Sequence, residues 1–365
     1  MITAQQDLAA LVGDCLPESW RAAFTATPRE LFIPARAVWV RGGDVKTPID
    51  RDADPDTWMQ AAYSNDVIIT QIDDGVTDGE GDSTSSASMP SVMLTMLTAL
   101  DAHPGHRVLE IGTGTGYNAA LLAYRLGAEN VVSIEIDPQV AEAARANLAS
   151  LGCSVKVITG DGAAGYPPGG RYDRIIATCS VQTLPWAWVA QTHPGGVIVT
   201  PWGPPMANDH LLRLDVGPTS AVGTIVDSAG FMRLRAQRWN VTDEPDDFPT
   251  IATRSTTDLD PHEVLGNHST LAVGLHLGEC RAIFETDAAT ETETLWLLAS
   301  DAWASITRGQ VRQAGARNLW DEAVRAYQWW TDNDRPDRAQ FHLTVTPERQ
   351  WVWLDDPANT VTTAV

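Results

Sequence analysis

The residues best placed to do chemistry stand at the end of one apolar run. Val108-Leu109-Glu110-Ile111 leads straight into Gly112-Thr113-Gly114-Thr115-Gly116-Tyr117, and a stretch rich in alanine and leucine follows. Glycines at alternate positions let the backbone turn sharply and approach a ligand that side chains would hold away. Two ligand classes use such a turn, dinucleotides and S-adenosylmethionine. The dinucleotide fingerprint is G-x-G-x-x-G, with the pyrophosphate on a helix N-terminus. Here the spacing is G-x-G-x-G, and Tyr117 occupies the third glycine position of the dinucleotide motif. Glu110, at the strand end, would repel a pyrophosphate but suits the ammonium and sulfonium end of S-adenosylmethionine.

Two more acids follow at matching places. Val131 to Ile136 is a second apolar run, and Glu135 stands where ribose hydroxyls need a bidentate acceptor. Asp137 is the alternative, although directly before Pro138 it also reads as a helix N-cap. In Gly160-Asp161-Gly162 an acid sits in a tight turn, where it could take an adenine amino group. The candidate cofactor-binding set is therefore Glu110, Gly112, Thr113, Gly114, Thr115, Gly116, Glu135, Ile136, Asp161 and Gly162. A single loop carboxylate is usually just solvated. Three of them at three successive strand ends, behind a glycine-rich turn, make a site.

The elements that must position these residues alternate. Apolar runs at Val108–Ile111, Val131–Ile136, Val155–Thr159, Arg174–Ala177 and Val197–Thr200 are separated by helix-like stretches such as Ala119–Leu126 and Pro138–Leu151. His210–Val216 and Gly230–Arg235 would supply a terminal hairpin. This β-α-β-α pattern predicts an α/β fold with a Rossmann-like, doubly wound sheet that binds its ligand at the carboxyl ends of the strands. The glycine turn resembles motif I of the class I S-adenosylmethionine-dependent methyltransferases. Three regions are expected: 1–84, helical and loop-like, with loops at Thr47–Asp56 and Asp73–Asp82; 85–237, the cofactor-binding domain; and 238–365, a tryptophan-rich α+β unit opened by an acidic linker at Thr242–Pro249.

Composition excludes several classes. A net charge of −22 argues against a nucleic-acid partner, which needs clustered positive charge. No apolar run approaches the length of a membrane span, and the N-terminus lacks the features of a signal peptide, so a cytoplasmic protein is expected. Cys15, Cys153, Cys179 and Cys280 are widely spaced, without metal-ligand spacing, and read as reduced packing residues. No histidine is assigned a catalytic role.

Over roughly residues 20 to 237 the chain resembles the protein-L-isoaspartate O-methyltransferases. Thr27-Pro28-Arg29-Glu30-Leu31-Phe32-Ile33-Pro34 is similar to that family's V-P-R-E-x-F-V-P stretch, and Ala62-Tyr63-Ser64-Asn65-Asp66 to its A-Y-x-D segment. Glu110 to Ala123 is close to its signature, and Pro194-Gly195-Gly196 leading to Pro201-Trp202-Gly203 matches in order. Upstream, Ser86-Ala87-Ser88-Met89-Pro90 resembles its T-I-S-x-P motif. The resemblance implies S-adenosylmethionine as cofactor and Ser86, Ser88 and Pro90 at the substrate. Ser88 would be the hydroxyl residue that meets the substrate carboxylate. Read from composition alone, Ser83–Ser88 is a polar loop before a helix. The implied reaction needs neither metal nor general base, because the carboxylate is already anionic. Alignment and desolvation would carry it, and the ester would then close spontaneously to a succinimide.

The chain departs from the compact family pattern. The segments Pro34–Ala62 and Thr70–Asp82 are longer, Ser85 replaces the usual glutamine, and residues past 237 are expected to have no counterpart in a repair enzyme. That extended architecture resembles homologues associated with lanthipeptide and graspetide biosynthesis, which methylate an aspartate of a macrocyclic ribosomal peptide. The resemblance thus implies such a maturation enzyme, with repair of isoaspartyl damage in proteins as the alternative.

Overall fold

Period-two alternation decides which way each central strand faces. Val108, Val131, Ile176, Val197 and Val199 pack into one apolar layer. Their neighbours Leu109, Ile111, Val132, Ile134, Ile175 and Ile198 pack into another on the opposite side. The computed structural model describes residues 2–43, 45–76, 81–238, 252–266 and 268–362.

The N-terminal part contains α1 (Ile2–Val12), α2 (Glu18–Ala26), β1 (Arg36–Arg41), β2 (Val45–Asp50), α3 (Pro55–Ala62), β3 (Val67–Ile72) and β4 (Ser83–Ala87). Its four strands form an antiparallel sheet in the order β2-β1-β3-β4. This corrects the reading of 1–84 as helix and loop. Pro48 hid β2, yet β2 is an edge strand, where a missing N–H is tolerated. Ser83–Ala87, which composition alone makes a polar loop, is paired to β3. Asp73–Gly75 is a 3-10 turn, and residues 77–80 of the expected Asp73–Asp82 loop lie outside the described residues.

The central part runs α4 (Pro90–Leu100), β5 (Val108–Ile111), α5 (Tyr117–Leu126), β6 (Val131–Glu135), α6 (Pro138–Ser150), β7 (Lys156–Thr159), β8 (Tyr172–Ala177), α7 (Trp186–Ala190), β9 (Thr192–Trp202), β10 (His210–Val216) and β11 (Ala221–Ser228). Strands β9, β8, β5, β6 and β7 are parallel neighbours in that order. The order reverses at β5, which puts the glycine turn at the switch point where such sheets bind ligands. One expectation fails. The hairpin partner that follows β10 is β11, not Gly230–Arg235, because the turn at Gly217–Ser220 delivers Ala221–Ser228 into that slot first.

The remaining elements are β12 (Thr253–Thr256), α8 (Pro261–Val264), α9 (Thr270–Leu277), β13 (Arg281–Asp287), β14 (Thr292–Leu298), β15 (Ala302–Thr307), β16 (Gln310–Gly315), α10 (Leu319–Asp332), β17 (Phe341–Val345), β18 (Gln350–Leu354) and β19 (Thr360–Thr362). Strands β17, β18 and β19 continue the central sheet beyond β11 to ten strands, so position 237 marks no edge of it. Strands β12 to β16 form a separate five-stranded sheet. Leu271, Leu275, Leu297, Trp320, Tyr327 and Trp330 share one core with the second face of the central sheet. Gly274 on α9 permits this approach, since a Cβ there would lie 2.8 Å from Pro204.

The tryptophans past residue 237 divide between packing and surface. Trp303, Trp320, Trp330 and Trp353 are buried, whereas Trp296, Trp329 and Trp351 are half-buried. The expected linker at Thr242–Pro249, and Trp239, lie outside the described residues. No helix among the described residues is long and apolar enough to cross a membrane. All four cysteines are free.

Candidate active site

The carboxyl ends of β5, β6 and β8 open into a cavity of about 590 Å³. Its walls bring together most of the residues singled out from sequence: Ser86, Ser88, Gly112 to Thr115, Glu135, Ile136, Asp161 and Gly162. The glycines are there for conformational reasons. Gly112 has φ +87°, and a Cβ on it would lie 2.8 Å from Thr178 Oγ1. Gly114 has φ +54°, a left-handed conformation that a side chain disfavours. Its N–H donates to Glu135 Oε2 at 2.9 Å, tying the turn to the acid at the end of β6.

Glu135 and Asp137 are placed differently. Asp137 is the N-cap of α6, accepting from the N–H groups of Gln139 and Val140. Glu135 lines the cavity. Asp161 also lines it and accepts from Ala163 N–H. Behind that turn Trp188 is fully buried and donates to Gly162 O at 2.8 Å, so it belongs to the core that braces the site.

Three residues fall outside the cavity wall. Gly116 has φ +89° and packs against Ala144 and Leu148 of α6. Pro90 is buried at the first turn of α4. Glu110 requires a correction, because it is fully buried and its carboxylate does not face the cavity. It accepts from Asn118 Nδ2 at 2.7 Å and from Ser133 Oγ, which in turn meets Thr113 Oγ1. A hydroxyl has one proton, so with Ser133 donating to Glu110, Thr113 donates to Ser133. Glu110 therefore orients Thr113 and Asn118, both of which line the cavity. Burial pushes its carboxyl up to about 7, against the opposing bonds from Ser133 and Asn118.

Ser88, on the same cavity wall as Ser86, is positioned by a residue far away in sequence. Arg29 is fully buried. Its Nη1 donates to the carbonyls of Ala62 (3.2 Å) and Ser64 (2.8 Å). Its Nη2 donates to those of Asp66 (2.9 Å), Ala87 (3.4 Å) and Ser88 (3.0 Å). Burial lowers this guanidinium to about 10, opposed by Tyr117 and Asp66, so it stays charged at neutral pH. Asn65 Oδ1 accepts from Ser91 N–H at the start of α4. Asp66 accepts from Trp39 Nε1. The three upstream segments that looked alike to one family are thus one hydrogen-bonded unit around Arg29.

Sequence reading missed Asn118, Thr178, Cys179 and the segment Gly230–Arg235 with Arg238, all of which line the cavity. The alternation in Phe231–Arg235 looked like a strand. It instead makes two bonds with Ser180, from Ser180 N–H to Met232 O and from Leu234 N–H to Ser180 O, and crosses the cavity. Arg235 and Arg238 bind Asp74, and Arg235 also reaches Asp137. Burial, with Glu135 and Asp161 adding to it, pushes the Cys179 thiol up to about 12, which keeps it protonated at neutral pH. No cluster of His, Cys, Asp or Glu among the described residues could hold a metal ion.

A doubly wound sheet, a G-x-G-x-G cradle whose three glycines all take positive φ and an acid bound to the cradle at the next strand end define a class I S-adenosylmethionine-dependent methyltransferase. The family model of protein-L-isoaspartate(D-aspartate) O-methyltransferase matches residues 44–234, more than half of the chain, which belongs to that family. The protein-L-isoaspartate O-methyltransferase of Methylorubrum extorquens (strain PA1) is 36% identical over 211 residues, covering 55% of this chain and 77% of that one. That of Ignicoccus hospitalis is 34% identical over 181 residues, covering 49% and 71%. A solved protein-L-isoaspartate O-methyltransferase shares the fold at 21% identity and a TM-score of 0.57, covering 96% of this chain and 100% of its own. The last likeness corrects the expectation that residues past 237 lack a counterpart.

Proposed function

We propose that this chain methylates the free carboxylate of isoaspartyl residues in proteins and peptides, with Ser88 as the residue that meets that carboxylate. The observation that carries the reading is the placement of Ser88. It lines the same cavity as the glycine cradle, its carbonyl held by Arg29, in the segment that resembles the family's substrate motif.

S-adenosylmethionine supplies an activated methyl group, and the fit of its site rests on the cradle and on Glu135 and Asp161. The chain's own residues do the rest. Ser88 Oγ donates a hydrogen bond to one oxygen of the substrate carboxylate and leaves the other free to attack. Val67, Met89, Val92, Met93, Phe231 and Met232 form apolar wall around that position and strip water from the nucleophile. Holding the reactants in line is the larger contribution, because no proton need move. The ester product then closes to a succinimide as the neighbouring backbone nitrogen attacks the ester carbonyl, the acyl C–O bond breaks and methanol leaves with the amide proton, without help from the protein.

Maturation of a macrocyclic ribosomal peptide was implied by the extended architecture. A solved protein-L-isoaspartate O-methyltransferase has the same extent, so that feature no longer favours maturation over repair. Mass spectrometry after incubation with S-adenosylmethionine separates the two. A linear isoaspartyl peptide should gain the mass of one methylene, or appear as its succinimide. Modification of a cyclised precursor alone, with the linear peptide untouched, would overturn the repair reading.

A further inference from the structure

Strands at the edge of a sheet carry unpaired N–H and C=O groups, and are usually blunted by short length, proline, charge or a bulge. Most edge strands among the described residues follow that rule. β7, β12 and β19 run for only four, four and three residues. β2 carries Lys46 and Pro48, and β4 borders the cavity through Thr84, Ser85 and Ser86. β13 is the exception. It ends the five-stranded sheet, and among the described residues no strand pairs with its outer side. At seven residues it is the longest of these edges, it has neither proline nor glycine, and it keeps one register with β14 through all seven pairs.

Every residue of β13 is exposed except Ala282, which is half-buried. Ile283 and Phe284, at 37% and 36% exposure, put two large apolar groups on that edge. Phe284 is held in place, because its ring stacks on His262 at 4.3 Å with 8° between the planes, and His262 is bonded to Glu293. An aromatic group already fixed loses little rotamer freedom when it is covered. The order of charges decides what covers it. Arg281-Ala282-Ile283-Phe284-Glu285-Thr286-Asp287 has a cation at one end and an anion at the other, each three residues from Phe284. Reversed and laid beside itself, the strand sets Arg281 opposite Asp287 twice and Phe284 opposite Phe284. Arg281, Ile283, Glu285 and Asp287 share one face of the strand, and Phe284 is on the other. No other antiparallel register pairs all seven residues.

We propose that β13 pairs antiparallel with β13 of a second copy of this chain, about a twofold axis through Phe284, so that two five-stranded sheets join into one of ten strands. A twofold contact uses the same patch on both subunits, which a self-complementary strand supplies. On one face, two Arg281–Asp287 ion pairs offset locally the repulsion between chains of net charge −22. On the other, the two Phe284 rings cover each other. Glu285, opposite Ile283 of the copy, keeps its bond to Trp296 Nε1. Asp287 Oδ1 accepts from the N–H groups of Ala289 and Thr290, which fixes the carboxylate at the end of the strand. A single strand pair buries little surface, so the dimer is weak and forms as concentration rises.

Sedimentation velocity of the full-length chain over a concentration series should show a monomer–dimer equilibrium. A monomer at every concentration up to about 1 mM, the weak limit for a specific contact, overturns the proposal. Arg281→Asp and Asp287→Arg each set like charges opposite one another twice, and each should raise the dimer Kd by at least about tenfold. Mixed in equal amounts, the two variants complement each other. The new carboxylate of the first then faces the new guanidinium of the second, and the native Asp287 and Arg281 face each other. The mixture should return to within about threefold of the wild-type Kd, a rescue that a merely structural role for either residue would not give. Unchanged affinity in both single variants, or no recovery in the mixture, overturns the pairing. If either variant fails to fold, Phe284→Lys puts like charges on the twofold axis and should leave the chain monomeric with its circular dichroism spectrum intact. A Phe284→Lys dimer of wild-type affinity overturns the pairing as well.

Discussion

Replacing Ser88 by alanine removes one donor from the cavity wall and leaves the Arg29 contacts, which are to backbone oxygens, in place. Methyl transfer should fall by about ten- to a hundredfold, the range for one hydrogen bond to a charged group. S-adenosylhomocysteine affinity, read by calorimetry, should be unchanged; equal losses in both would make Ser88 a structural residue. Glu110 makes a pH prediction. Its carboxyl titrates near 7 in the fold, against 4.5 for a free group, so the folded chain holds an extra proton between those values. Stability from this group is full below about 4.5 and declines as pH rises to about 7, by on the order of 3 kcal/mol. Glu110→Gln should remove that decline, which denaturant titrations of both proteins at several pH values would show as a converging difference at low pH. At this scale the cradle glycines and Glu135 were legible because their types are dictated by backbone and charge. The burial of Glu110 was not, since nothing in sequence separates an acid facing a ligand from one facing Asn118 and Ser133.

Between elements, the contact to watch joins the turn Asp73–Gly75 to the segment Gly230–Arg238. Arg235 and Arg238 both bind Asp74, and Arg235 also binds Asp137 at the start of α6, so a bridge of charges crosses beside the cavity. The two pairs to Asp74 are partly exposed, so each contributes little and is screened by salt, whereas Asp137 is buried. Asp74→Asn should speed S-adenosylhomocysteine release a few-fold in stopped-flow fluorescence, and the wild-type rate should rise towards the variant's as salt is added. A salt-independent wild-type rate, unchanged by the substitution, would show the bridge to be inert. Strands β5, β6 and β8 were legible because parallel strands buried on both faces are mostly apolar, here broken only by Glu110, by Ser133 and Glu135, and by Asp173 and Arg174. The N-terminal sheet was not, since its edge strand carries Pro48 and its last strand is five polar or small residues.

For the whole molecule, the two faces of the central sheet are covered by different parts of the chain. α4 and α5 share a core with one, while α7, α9 and α10 share a core with the other, and β17 pairs with β11. The full chain should therefore unfold in one transition by circular dichroism, and a chain ending at residue 237 should fail to give a soluble folded product. A stable, cofactor-binding truncation would contradict this. The family could be recognised because its segments meet around Arg29 and the cradle. The layered role of the last third could not, because tryptophans at helical spacing pack equally well in a separate unit or against a neighbour.

The late position of β17 also bears on biosynthesis. Phe341, its first residue, follows Ser228 at the end of β11 by 113 residues, so that much more chain must be made before β11 acquires its second partner. Until then the nascent chain carries an open strand edge and an uncovered apolar face, the features that recruit chaperones or seed aggregates. A message truncated before β17 would accordingly yield a product for the proteases, not a weaker enzyme.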